Sequence, residues 1–176
     1  MTATWVGLLR AVNVGGRNSA PMARVRAAVA TTGATDVRTY VQSGNVVFSS
    51  SSRTEARVVD AVETALAAEL GFAVPVVVRS AAAMQRVVAD NPLLGDDRDE
   101  ARCYVLFLAD EPTLEPGVQS VDGEEYALIG RELYVHLPNG LGRSKLLTTT
   151  LSERRLGVTA TTRNWRTVTT LAAMAN

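Results

Sequence analysis

Val37-Arg-Thr-Tyr-Val-Gln-Ser-Gly-Asn-Val-Val-Phe-Ser49 decides the fold. Two short β-rich runs, 37–41 and 46–49, flank the polar tetrapeptide Gln42-Ser-Gly-Asn45. β-Branched and aromatic residues on both sides of a glycine-containing turn predict a β-hairpin. Toward the N-terminus, Met22, Val25 and Val29 space one apolar face of a helix. Pro21 suits its first turn and Gly33 its C-terminal cap. Ahead of that helix come a polar loop, Asn13-Val-Gly-Gly-Arg-Asn-Ser19, and a first strand over 5–10. Toward the C-terminus, Ser52 and Glu55 have the spacing of a capping box. Val58, Val62 and Leu66 follow on one helical face, and Gly71 closes that helix. Val74-Pro-Val-Val-Val78 reads as a fourth strand, with Pro75 near its start or on an edge. The order β-α-β-β-α-β is the ferredoxin-like split arrangement, in which two helices cover one face of a four-stranded antiparallel sheet.

The second half repeats this order loosely. Ser80 caps a short helix carrying Met84, Val87 and Val88, and Asn91-Pro92 ends it. A charged connector, Gly95-Asp-Asp-Arg-Asp-Glu100, is the natural boundary region. Cys103–Leu108 is a buried strand, and the proline-containing stretch 111–121 has room for a short helix. Residues 126–129 and 133–137 flank a tight turn near Gly130. Ser144 caps a helix carrying Leu147, Leu151 and Leu156, and Gly157 ends it. Residues 159–162 read as a last short strand. Residues 164–174 read as a terminal helix with Trp165, Val168 and Leu171 inward. The expectation is an α+β protein of two tandem ferredoxin-like subdomains plus a C-terminal helix, divided as 1–94 and 95–176.

Composition narrows the class. The chain has 176 residues, 47% hydrophobic and 20% charged, which is globular. No apolar run reaches the ~20 residues that span a bilayer. Cys103 is the lone cysteine and His136 the lone histidine, so an intrachain disulfide and a Cys/His zinc site are both excluded. A soluble, cytoplasmic protein without metal or cofactor is expected. The net charge of zero is unevenly spread: +4 over residues 1–60, −9 over 61–142 and +5 over 143–176. Two basic ends that met in the fold would attract an anion; otherwise they are solvated surface. Lys145 is the only lysine among 18 basic residues.

Four stretches carry a resemblance. They are Leu8-Leu-Arg-Ala-Val-Asn-Val-Gly-Gly-Arg-Asn18, Thr39-Tyr-Val-Gln-Ser-Gly-Asn-Val-Val-Phe-Ser49, Leu137-Pro-Asn-Gly-Leu-Gly-Arg-Ser-Lys-Leu146 and Thr161-Thr-Arg-Asn-Trp-Arg-Thr-Val168. In this order they resemble the bacterial family of unknown function numbered 1697, over nearly the whole chain. The resemblance implies a pair of ferredoxin-like subdomains and brings no activity with it. Ala11 departs from the glycine usual there, which argues against an absolute need for positive φ at that position.

The same motifs supply the candidate site. In the 13–18 loop, Gly15 and Gly16 can present backbone N–H groups beside a helix N-terminus, with Arg10, Asn13, Arg17 and Asn18 around them. A phosphate or carboxylate fits there; a plain glycine turn is the alternative. Ser43 and Asn45 either read a polar ligand or complete their own turn. Gly140-Leu-Gly-Arg-Ser-Lys145 opens a helix without Walker A spacing. Ser144 is its cap, and Lys145 stands against the helix dipole, as a residue kept for an anion would. Arg163 and Asn164 are candidate polar contacts, whereas Trp165 reads as core. His136 and Cys103 read as structural. Asp96, Asp97, Asp99 and Glu100 read as a solvated linker with a cation as the alternative.

The expected function is binding of a small anionic ligand, phosphorylated or carboxylated, in a basic cleft between the subdomains. No general base stands out, which leaves catalysis open. Nucleic acid ranks second, because aromatics are only 5% of residues and the aromatic signature of the RNA-recognition module is absent. A partner-binding or homodimerising module is the third reading, and no membrane contact is expected.

Overall fold

The computed structural model describes residues 1–95, 98–114 and 117–176, the Val118 side chain excepted. It is α+β with two antiparallel sheets. The chain divides into two compact units, Met1–Arg86 with Leu171–Asn176, and Val87–Thr170.

The first unit runs β1 (Ala3–Leu9), α1 (Met22–Thr31), β2 (Thr35–Tyr40), β3 (Asn45–Ser50), α2 (Glu55–Leu70), β4 (Val76–Ser80) and the first residues of α3 (Ala81–Ala89). Its sheet has the order β2-β3-β1-β4. The hairpin forms where the 37–49 stretch predicts it, with Tyr40 opposite Asn45. Alternation along the strands decides the faces. Trp5 and Leu9, Val46 and Phe48, and Val76 and Val78 share one core with Met22, Val25 and Val29 of α1 and Val58, Val62 and Leu66 of α2. The last three recur every four residues and are all buried, so each contributes on the order of 1.5–3 kcal/mol. Val6, Leu8, Val47 and Val77 alternate to the opposite face and are buried as well. Pro75 lies just before edge strand β4, and its carbonyl accepts the Arg10 N–H.

The capping box does not form. The N-cap of α2 is Thr54, not Ser52. The Ser52 carbonyl accepts the Trp5 indole N–H and its backbone N–H is bound by Ser50 Oγ, so residue 52 is tied to the sheet before the helix begins. Glu55 instead lies 3.6 Å from the buried Arg79 guanidinium.

The second unit contains β5 (Cys103–Leu108), β6 (Gly117–Val121), β7 (Glu124–Ile129), β8 (Glu132–His136), α4 (Lys145–Thr148), α5 (Glu153–Leu156), β9 (Ala160–Asn164) and the start of α6 (Trp165–Met174). Its sheet order is β6-β7-β8-β5-β9. Omitting β6, that order repeats the first sheet strand for strand. The expected short helix within 111–121 is replaced by strand β6, while residues 115 and 116 lie outside the described residues. Asp122 and Gly123, both at positive φ, turn β6 directly onto β7.

The predicted helix after Ser144 starts as expected but breaks into two single turns. Thr148 and Thr149 return their hydroxyls to the Lys145 carbonyl, and such back-bonding competes with continuation of the helix. Leu151 and Leu156 still reach the core formed by Leu106, Leu108, Tyr126, Leu128, Leu133 and Val135, joined by Leu146, whereas Leu147 is half-buried against it. No helix among the described residues is long and apolar enough to cross a membrane.

Candidate functional site

In the first unit, the loop after β1 is a miniature hairpin. Gly15 and Gly16 have φ of 60° and 72°. The Arg17 N–H donates to the Val14 carbonyl at 3.2 Å, and the Asn13 N–H to the Asn18 carbonyl at 3.1 Å. Two consecutive positive φ values closed by that bond make a type I′ turn, the geometry that demands glycine here.

Asn13 fastens this loop to its surroundings. Its amide nitrogen donates to the carbonyls of Ala20 at 3.0 Å and Gln42 at 2.8 Å, and its oxygen accepts the Ala20 N–H at 2.8 Å. The loop and the β2–β3 turn are therefore brought together as one site. Asn18 donates to the Ala11 carbonyl. Asn45 is fully buried, and its amide donates to the Tyr40 carbonyl and Ser43 Oγ. Asparagine side chains thus hold the loops in shape. Arg17, Ser43, Gly15 and Gly16 are exposed, and Arg10 is half-buried.

Backbone strain gathers at this pair of loops. Ala11, Asn13, Asn18 and Val41 have φ between 50° and 55°, four of the six non-glycine residues at positive φ among those described. Such residues cost on the order of 1–3 kcal/mol each and cluster at functional sites. The inference drawn from the Ala11 methyl is corrected: residue 11 does sit at positive φ, at 55°. The Asn18 amide on its carbonyl and the adjoining turn hold it there. Ala11→Gly is expected to stabilise the protein by about 0.5–1 kcal/mol, as relief of left-handed strain exceeds the added entropy of the unfolded chain. A rise in the urea midpoint with an unchanged slope is the expected reading; a fall would mean that the methyl contributes packing.

In the second unit, Ser144 meets a partner that sequence reasoning missed. Glu124, the first residue of β7, is buried. Its Oε2 accepts the Ser144 hydroxyl at 3.1 Å and the Leu146 N–H at 2.9 Å. Ser144 in turn caps α4 through the Leu147 N–H. The anion beside this loop is therefore the protein's own carboxylate. The Asp-Gly turn at 122–123 was the signal that could have placed Glu124 at a strand start. Asp122, Glu124, Asn139, Arg143 and Lys145 line a cleft of about 150 Å³.

Arg163 and Asn164 belong to β9. Arg163 is buried, bonded to Thr161 Oγ1 and the Thr162 carbonyl, and burial lowers its pKa to about 10, so its charge persists at neutral pH. Asn164 caps α6 by accepting the Thr167 N–H. The pair repeats Arg79-Ser80 at the end of β4, where Arg79 is buried and Ser80 accepts the Ala83 N–H at the start of α3. Trp165 is buried. The Cys103 thiol is buried and burial raises its pKa, which suppresses the reactive thiolate. His136 Nδ1 lies 3.8 Å from Glu125. Asp99 caps the short turn at 100–102, whereas Asp96 and Asp97 lie outside the described residues.

A family model described as "Protein of unknown function (DUF1697)" matches residues 1–134. Among solved structures, a conserved bacterial protein from Streptococcus pneumoniae is similar over 100% of both chains, with a TM-score of 0.72 and 23% identity. At that identity the likeness concerns the fold alone. No curated protein matches the chain.

Proposed function

The chain belongs to the family of proteins of unknown function DUF1697, and from that premise we propose that its first unit binds a small phosphorylated or carboxylated ligand at the 10–18 loop and the 41–45 turn. One observation carries the reading. This strained pair of loops contains Arg10 and Arg17 and no acidic residue, whereas the corresponding basic loop of the second unit already holds Glu124. Exposed Arg17 makes no ion pair among the described residues, and the Gly15-Gly16 turn lets an anion approach the backbone closely. Asn13, Asn18 and Asn45 act as the frame that holds the loops. Ferredoxin-like topology for this unit accords with the order β2-β3-β1-β4. A cytoplasmic setting accords with the single buried thiol of Cys103.

Nucleic-acid binding finds less support. Every described aromatic side chain is buried or half-buried, so no exposed ring offers a face to a base.

Thermal denaturation with inorganic phosphate, nucleotides, sugar phosphates and carboxylates tests the proposal. A ligand at ten times its Kd should raise the midpoint by about 3–5 °C. Arg17→Ala should abolish the rise without altering the ligand-free midpoint, since the side chain is exposed. A screen in which no anion stabilises the protein, or a response that survives Arg17→Ala, refutes it.

A further inference from the structure

The cleft of the second unit has a charge pattern that the anion reading does not use. Asp122 and Glu124 supply carboxylates; Arg143 and Lys145 supply cations; Asn139 adds an amide. Opposite charges around a small space ordinarily close on one another. Here, among the described residues, neither Arg143 nor Lys145 has a carboxylate within 4.0 Å. The turn at Asp122-Gly123 carries the two acidic residues on the β6–β7 side. Lys145 begins the capped α4, and Arg143 ends the short turn at 141–143. Glu124 Oε2 is held in place by Ser144 and Leu146, so it cannot swing out toward the lysine.

We propose that this cleft is a second ligand site, separate from the anion site of the first unit, and that it takes a small zwitterion of the α-amino-acid class. The ligand ammonium would sit between Asp122 and Glu124, and its carboxylate between Arg143 and Lys145, with Asn139 able to donate or accept. A ligand carrying one charge answers only half of the cleft and leaves it with an excess of the other sign. Size agrees with the class. A space of about 150 Å³ holds roughly six heavy atoms, the size of benzene in an engineered cavity of that volume. Glycine and alanine fall in that range, and a longer side chain would extend into solvent.

Calorimetric titration of the full chain with glycine, alanine and serine tests the site, with acetate, methylamine and inorganic phosphate as controls. The expected result is saturable binding of at least one amino acid and at least tenfold weaker binding of acetate and methylamine. Asp122→Asn and Lys145→Gln should each weaken amino-acid binding at least tenfold, while Arg17→Ala leaves it unchanged. Both cleft substitutions lie on exposed side chains, and an unchanged thermal midpoint verifies folding of each variant. Absence of saturable binding by every amino acid overturns the inference. So does binding that ignores both cleft variants. Phosphate binding lost in Lys145→Gln but kept in Arg17→Ala also overturns it, and moves the anion site to this cleft.

Discussion

Gly44→Ala is expected to destabilise the protein by about 3–4 kcal/mol, a large share of the ~5–15 kcal/mol that holds a typical domain. Two independent costs combine. A Cβ at this position would lie 2.6 Å from Val12 Cγ2 and 2.7 Å from Leu9 Cβ, closer than real carbon contacts come. Overpacking of that kind costs about 1–3 kcal/mol. The residue also has φ of 83°, which costs an L-residue about 1–2 kcal/mol more. The turn cannot retreat, because the Gly44 carbonyl accepts the Leu9 N–H at 2.8 Å and Asn45 behind it is fully buried. Gly15→Ala is the matched control. It has positive φ but nothing within 4 Å of the added carbon, so strain alone should remain, about 1–2 kcal/mol. Urea unfolding of the two variants separates the terms. Equal losses would show that the contact with Leu9 and Val12 relaxes and that only the dihedral matters.

Gly44 also shows how far the sequence reading reached. The hairpin was legible because β-branched runs and a turn are local signals. That the turn presses against Leu9 and Val12 was not, since those residues arrive through the tertiary fold. The caps at Ser80 and Ser144 and the stops at Gly33, Gly71 and Gly157 were legible for the same local reason. The failures have specific causes. Helical leucine spacing at 147 and 151 concealed the threonine hydroxyls that break the helix at 148–149. The proline-containing stretch around β6 left room for a short helix, which hid the hairpin that Asp122-Gly123 signals.

The candidate site was harder to read, because its chemistry is ambiguous in sequence. An amide that reads a ligand and an amide that ties a loop are the same residue. Asn13, Asn18, Asn45 and Asn164 all proved to hold backbone, as their hydrogen bonds show. Arginine is ambiguous in the same way: Arg163 is buried in a strand, whereas Arg17 is exposed on a turn. Burial separates the two roles, and burial at an isolated arginine leaves no periodic trace. The unit that retains the anion reading is therefore the one whose loops at 10–18 and 41–45 contain no acidic residue.

Glu124 makes that distinction testable through stability. Glu124→Ala is expected to cost about 3 kcal/mol. The substitution leaves two buried donors, the Ser144 hydroxyl and the Leu146 N–H, without their shared acceptor, and each such loss costs about 1–3 kcal/mol. Glu124→Gln keeps an acceptor oxygen in the same place and should lose about 1 kcal/mol, mostly the charge-assisted part of the two bonds. Ser144→Ala should cost about 1 kcal/mol for the lost cap of α4. Because Glu124 and Ser144 share a bond, the double variant should lose less than the two single losses combined, with a coupling of at least ~0.5 kcal/mol. Amide exchange gives a local reading of the same event: the Leu146 N–H should exchange faster in Glu124→Ala, while the Val105 N–H in the interior strand β5 should follow global stability only. Additive losses together with unchanged protection at Leu146 would mean that the carboxylate does not anchor this loop. The two basic loops would then compete as anion sites on equal terms.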